Sequence, residues 1–369
     1  MSVVIPAKNE AGFILGALEA LAAQRTLDGT ILNPRSFEII VFCNDCDDGT
    51  SHVVRRFAAR DALPAVGVIE GALPPGVAHV GTARRALLDL ACARFLGAGR
   101  PYGIVASTDA DSQVDRHWVA WTREHMQGVD AVAGHVEIAE RERERMMAPL
   151  RLLYDRECTY RRLLGEMEAL EDPRGYDPAP RHAGFVGASF AVTASIYSAA
   201  GGLPVAPRLE DLAFARRLDL IDARVRHSYA VRVATSARRI ARVEGGFGTF
   251  IGDLAARGTR RETFPVLAAR ASIAESRARA ALRRVFAGRH DAADYARVKA
   301  FFRLKPAVLD EIVSREATAG AAFARAMMLG NPRLYRDEPV ESSIAKLRAL
   351  LASRKPVAPI LARTASGAG

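Results

Sequence analysis

The first half of the chain alternates short apolar, β-branched runs with helical stripes, and this alternation restricts the possible folds more than any other feature. Val3–Ile5 precedes residues 10–24, where Ile14, Leu15, Leu18, Leu21 and Ala22 recur at helical spacing. Phe37–Phe42 predicts a second strand, followed by Asp47, Asp48, Gly49 and Thr50 as a turn and a helix over Ser51–Arg60. Ala65–Glu70 predicts a third strand. Thr82–Phe95 predicts a helix with Ala83, Ala86, Leu87, Leu90 and Ala91 on one face, and Gly103–Thr108 and Ala131–Val136 predict further strands. Strands and helices alternating at this spacing imply a parallel sheet covered on both faces. A length of 369 residues leaves room for one large α/β domain with an appendage, or for two domains.

The pattern changes after Ala139. A charged helix is expected over Glu140–Arg162, then a loop bearing Pro and Gly at Asp172–Pro180, then small and apolar residues at Gly184–Val192. From about Phe250 the composition is helical, with breaks near Gly288–Asp291 and Gly330–Pro332, and Ala358–Gly369 forms a flexible tail. The net charge is +10, and from Ala255 onward 22 Lys and Arg stand against 10 Asp and Glu, so the basic character belongs to the last third. A basic face attracts anionic lipid surfaces or polyphosphates. A solvated helical face accounts for the same residues. No stacking-aromatic pattern accompanies the charge, so no nucleic-acid partner is expected.

No stretch reaches the ~18 apolar residues of a membrane span. A basic n-region with an apolar h-region is absent at the start, and the four cysteines are too scattered for a disulfide scaffold. The expectation is a cytoplasmic, reducing setting. Cys43 and Cys46 have the spacing of a metal or redox pair, but no second pair sits at zinc spacing, and a structural role is expected.

Asp109 and Asp111 leave the Gly103–Thr108 strand one residue apart. Open α/β sheets bind ligands at the carboxyl ends of their strands. Paired carboxylates there suit a hard divalent cation that also grips substrate phosphates. By itself, Asp109–Ala110–Asp111 equally fits a turn or a helix N-cap.

Its neighbours extend the pattern. In order along the chain stand Val3–Glu10 (VVIPAKNE), Cys43–Thr50 (CNDCDDGT), His79–Ala86 (HVGTARRA), Ser107–Asp111 (STDAD), and Gly201–Leu203 followed by Glu210–Leu212. This ordered set resembles the family 2 glycosyltransferases with the GT-A nucleotide-diphosphosugar fold, over about Ser2–Gly248. The resemblance implies a Rossmann-like mixed, mostly parallel sheet flanked by helices, with a C-terminal helical extension. Residues 1–249 would form the transferase domain (1–115 the nucleotide-binding half, 116–249 the acceptor half), 250–357 a basic helical extension and 358–369 the tail.

It further implies a metal-dependent, inverting transfer of a sugar from a UDP- or GDP-sugar to an acceptor hydroxyl. Pro6, Ala7, Asn9 and Glu10 would line the nucleotide pocket, with Asn44 and Asp45 reading base and ribose. Many members place an acidic pair where this chain has Cys43–Asn44, which leaves the base open. Gly81 would allow a close backbone approach, and Arg84 or Arg85 would pair with the diphosphate. Asp111 would bind Mg²⁺ or Mn²⁺, with Asp109 and Ala110 at the ribose, the metal or its water. Gly187 lies in a small-residue strand, Gly187–Phe190, under the donor sugar. Arg239 or Arg242, at the end of a loop over Val233–Arg242, would touch the diphosphate, and Gly245–Gly248 would form a lid. Asp211 would be the general base and Glu210 would position the acceptor.

His182 and His227 are candidate metal ligands or packed histidines. A lipid-linked or otherwise anionic acceptor, peripheral membrane contact and a homodimer extend the reading, whereas a processive polysaccharide synthase would need membrane spans. A sugar nucleotidyltransferase of similar fold would carry a Gly-rich signature after the first strand, which Pro6–Gly16 lacks. A non-catalytic nucleotide-sugar binding protein would not need Asp211.

Overall fold

The computed structural model describes residues 1–60, 63–236, 252, 263–330, 332 and 337–354. Its strands are β1 (Ser2–Ala7), β2 (Glu38–Asn44), β3 (Ala65–Gly71), β4 (Ile104–Ser107), β5 (Ser112–Val114), β6 (Ala131–Ile138), β7 (Phe190–Thr193), β8 (Val225–Thr235), β9 (Pro265–Leu267) and β10 (Asp337–Pro339). The first eight form one sheet in the order β3-β2-β1-β4-β7-β6-β8-β5. β3, β2, β1 and β4 run parallel, β7 runs against β4 and β6, β8 runs with β6, and β5 runs against β8. This is the expected mixed, mostly parallel α/β sheet flanked by helices.

Both faces of β1 are buried, and its side chains alternate between them. Val3 and Ile5 join α1 (Ile14–Ala22), α2 (Thr50–Ala58) and α4 (Trp118–His125) through Leu18, Phe57 and Trp118. Val4 faces the other layer, where α3 (Val80–Gly97), α7 (Ala194–Ala199) and α8 (Glu210–Leu220) bring Leu87, Leu88, Tyr197, Phe214 and Leu218. The two helical layers thus fix the strands whose carboxyl ends carry the expected site.

The charged segment after β6 differs from one helix over Glu140–Arg162. It is split into α5 (Glu140–Glu144) and α6 (Ala148–Glu171), with Pro149 in the first turn of α6. A proline cannot donate to the preceding turn but suits the start of a new helix. Gly187 and Ala188 form a turn rather than strand, and β7 starts at Phe190. Val233–Thr235, expected in a loop, end the long strand β8. The remainder of that loop, with Arg239 and Arg242, and the Gly245–Gly248 lid lie outside the described residues.

The C-terminal helices are α9 (Ala269–Phe286), α10 (Ala292–Phe302), α11 (Pro306–Arg315), α12 (Ala319–Leu329) and α13 (Val340–Ala352). Two of their breaks fall at the expected Gly288 and Gly330 segments, and two more, at Arg303–Lys305 and Glu316–Thr318, were not expected. Leu153, Tyr160, Leu163 and Met167 of α6 share a core with Ile273 of α9 and Leu347 of α13, so α6 packs with the C-terminal third. The α8–β8 turn anchors this unit. Asp222 accepts from Ala319 N (2.8 Å) and Gly320 N (2.7 Å), and a Cβ on Gly320 would meet the Asp219 carbonyl at 1.7 Å. Among the described residues no helix is long and apolar enough to cross a membrane.

Candidate active site

The register pairs Ala7 with Cys43, so β1 and β2 end side by side and release their loops at one edge. Asn9 (φ 54°) and Asp45 (φ 50°) occupy the left-handed region, a conformation that costs a non-glycine residue of order 1 kcal/mol and concentrates at functional sites. Cross-loop contacts hold them there. Glu10 N donates to Thr50 Oγ1 (2.7 Å), Ala11 N to Asp48 Oδ2 (2.9 Å), Asp47 N to Asn9 Oδ1 (3.0 Å) and Asn9 N to Cys46 Sγ (3.3 Å). Lys8 and Asp45 form an exposed ion pair at 3.2 Å. Cys46 is thus a hydrogen-bond acceptor within the loops. Burial, then the neighbouring Cys46 and Glu70, push the Cys43 thiol up to about 12. Asn44 is buried and its Oδ1 accepts from Leu73 N at 3.0 Å, so the oxygen expected to read the base is committed to the chain leaving β3.

β4 delivers Asp109–Ala110–Asp111 to the same edge. Ala110 is buried in the core, while Asp109 and Asp111 on either side of it stay partly exposed. Beside them lies Arg84, 3% exposed. Its Nε donates to Ser107 Oγ (3.1 Å), Nη2 to Asp109 Oδ1 (2.5 Å) and Nη1 to Glu210 Oε1. Burial works against the charge of Arg84, but Asp109, Glu210 and Asp211 hold its pKa above the ordinary arginine value. Burial raises the Asp109 carboxyl, Arg84 opposes that rise, and Asp111 and Asp211 add to it. Burial raises Glu210 as well, opposed by Arg84 and reinforced by Asp211 and Asp109. Four carboxylates therefore interact around one buried guanidinium.

The neighbouring arginine turns elsewhere. Arg85 donates from Nη1 to the Leu203 carbonyl (2.8 Å) and from Nε to Asp89 (3.2 Å). Asp89 accepts the Tyr197 hydroxyl at 2.5 Å, and that hydroxyl accepts Leu203 N at 3.1 Å. Close approach at Gly81 is indeed required, but to protein: a Cβ there would meet the Ala206 carbonyl at 2.6 Å and Glu210 Cγ at 3.2 Å.

Glu210 and Asp211 open α8 as acids in its first turn, where the helix dipole favours them. Leu209 before them is strained (φ 54°). Asp211 is half-buried, its Oδ2 accepting from Gly187 N and its Oδ1 from Leu212 N, both at 2.8 Å. Glu210 is buried and paired with Arg84. Ser107 and Leu203 stand in two of the motif segments, while Asp89 and Tyr197 support the site without having been singled out. The i, i+4 spacing of Arg85 and Asp89 was their one visible signal.

His182 lies apart, packed against His135, His227 and Tyr229 with ring centroids 5.3–5.7 Å from its own. His227 Nδ1 sits 2.9 Å from the buried Asp177. Among the described residues no three His, Cys, Asp or Glu side chains converge as a ready-made metal cage.

An open α/β sheet whose carboxyl edge gathers strained loops, carboxylates and a helix start has the architecture of an α/β enzyme. A family model described as glycosyl transferase family 2 matches residues 2–190, more than half of the chain; the protein belongs to this family and is a glycosyltransferase. No curated protein matches the chain significantly. Among solved structures it is similar to the mannosyltransferase PcManGT from Pyrobaculum calidifontis in complex with GDP-Man and Mn²⁺, at 18% identity and TM-score 0.44, over 96% of this chain and 76% of that one. It is also similar to TarS 1–349 of S. aureus, in complex with UDP-GlcNAc (14% identity, TM-score 0.46, 89% of this chain, 90% of that one) and with UDP (15%, 0.43, 88% and 80%). At these values the family model alone places the chain.

Proposed function

We propose that the protein transfers a sugar from a nucleoside-diphosphate sugar to an acceptor hydroxyl by a single, inverting displacement, with Asp211 as general base. The observation that carries this reading is that Arg84 joins Asp109, at the end of β4, to the start of α8, where a backbone N–H orients the Asp211 carboxylate. In-line displacement needs a base on the side of the anomeric carbon opposite the leaving diphosphate, the place assigned here to Asp211. Two backbone N–H groups orient the Asp211 carboxylate, and its remaining lone pairs can take the acceptor proton. The interlocked Pro6–Ala11 and Asn44–Thr50 loops, with the Lys8–Asp45 pair at their rim, form the nucleoside side.

A divalent cation, Mg²⁺ or Mn²⁺, fits the residues present. Asp109 and Asp111 offer hard carboxylate oxygens one residue apart at the end of β4. An anionic diphosphate needs positive charge between itself and such a cluster. Two carboxylates supply part of a shell that substrate phosphates and water complete, in keeping with the lack of an all-protein cage among the described residues. When bound, the cation neutralises charge developing on the departing nucleoside diphosphate.

The donor is of the UDP- or GDP-sugar type, and the acceptor carries a free hydroxyl. A thermal-unfolding screen of UDP, GDP and their sugars, with and without Mn²⁺, tests the reading, because a ligand that binds the native state raises the apparent melting temperature. A rise with one base that requires Mn²⁺ is expected. No rise with any nucleoside diphosphate would overturn it.

A further inference from the structure

We infer that Arg84 is a positioning residue that sets the spacing between Asp109 and the helix bearing Asp211, and is not a ligand of the donor's diphosphate. The inference deepens the proposed function and rests on Asp211 being its base. All three guanidinium nitrogens are engaged, by Ser107 at the end of β4, by Asp109 and by Glu210 at the start of α8. With 3% of its surface exposed, Arg84 has no free edge to present to a phosphate.

Its flat face is occupied as well. A Cβ on Gly187 would lie 2.6 Å from Nη1 and 2.7 Å from Cζ, so the Gly187 peptide packs directly on the guanidinium. That same peptide donates its N–H to Asp211 Oδ2. Arg84 therefore reaches the 210–211 pair twice: through the Glu210 carboxylate, and through the peptide that orients Asp211. Arg85 braces the preceding turn at Leu203, so Arg84 and Arg85 of α3 both serve the segment leading into α8. Lysine, a point charge on a flexible stem, cannot span three acceptors in fixed directions. A displacement of ~1 Å at a reacting group costs about a hundredfold in rate.

Four variants test this: R84K, R84M, E210Q and R84M/E210Q. Thermal unfolding needs no substrate. Removing one member leaves a buried charge unpaired, so each single variant should melt lower than wild type and the double variant no lower than the worse single. If R84M does not fold, the cycle is run with R84K. Calorimetric binding of UDP and GDP with Mn²⁺ to R84K should stay within about threefold of wild type, while kcat for the sugar nucleotide used falls about a hundredfold with its KM little changed.

Additive melting losses would overturn the inference. So would a tenfold or greater loss of diphosphate affinity with kcat retained. If wild type binds no nucleoside diphosphate and turns over no sugar nucleotide, the proposed function fails while the unfolding cycle still decides whether Arg84 is a strut.

Discussion

Around the ends of β1 and β2, the loops carrying Asn9 and Asp45 are knitted by the side chains of Thr50, Asp48, Asn9 and Cys46, each of which accepts from a backbone N–H. At the end of β4, Asp109, Glu210 and the peptide orienting Asp211 all converge on the Arg84 side chain. The first arrangement spreads its stability over many short-range contacts, so losing one should loosen the loops by degrees. In the second, carboxylates that repel one another share a buried cation, and a change at one member is felt by all. The nucleoside side should therefore respond to mutation gradually, and the acidic side abruptly.

The largest expected effect lies on the acidic side. Asp211→Asn keeps the shape but removes the base, and kcat should fall by ~10²–10⁴ while donor KM stays near wild type. A proportional rise in KM with kcat preserved would place Asp211 in donor binding instead. Asp111→Asn comes next: the Mn²⁺-dependent part of the melting rise with UDP or GDP should vanish while the fold persists. A rise as large as that of wild type would remove Asp111 from the metal-holding pair.

On the nucleoside side, Asn9→Ala removes the acceptor of Asp47 N, and a net hydrogen bond contributes about 0.5–1.5 kcal/mol. A melting drop of a few degrees and less than tenfold weaker diphosphate binding are expected. Abolished binding would show that these loops too depend on single residues.

A separate effect, outside the acidic cluster and the interlocked loops, concerns acid. Burial first, then His227 and His135, lower His182 to about 3, and its Nδ1 accepts from Gly184 N in the chain leading to Gly187. The folded protein keeps this ring neutral, while the unfolded chain takes up a proton below about pH 6.5. Stability should therefore fall as pH drops from about 6.5 toward 3, with a limiting contribution of about 1.4 kcal/mol per pH unit. His182→Gln should flatten that slope in denaturant titrations. An unchanged slope would assign the acid lability elsewhere.

How much of this was legible in the sequence varies with the physics involved. Strands β1, β2 and β4 follow from apolar runs because both faces of the sheet are buried there, and helices α1 to α3 from apolar periodicity; β3, exposed at the sheet edge, follows from its β-branched residues alone. β8 was hidden because Arg226, His227 and Arg232 interrupt its apolar residues, and β5 is three residues long. The association of α6 with the C-terminal helices depends on tertiary packing that no local pattern encodes. At the site, Asp109, Asp111, Glu210 and Asp211 were visible as residues. Their partition was not, because Glu210 and Asp211 differ only in which way each side chain leaves the first turn of α8. Likewise, Arg84 and Arg85 are equivalent on paper. Burial turns both toward the segment before and at the start of α8, and Gly187, expected beneath the donor sugar, packs on Arg84.

A single displacement at one carboxylate inverts the anomeric centre, and ¹H NMR of the sugar released or transferred in the first minutes of turnover, with the donor selected by the thermal screen, reads this out. The product should have the anomeric configuration opposite to the donor's, formed by wild type and not detectably by Asp211→Asn on the same timescale. Retention of configuration, or turnover by Asp211→Asn at the wild-type rate, would contradict it.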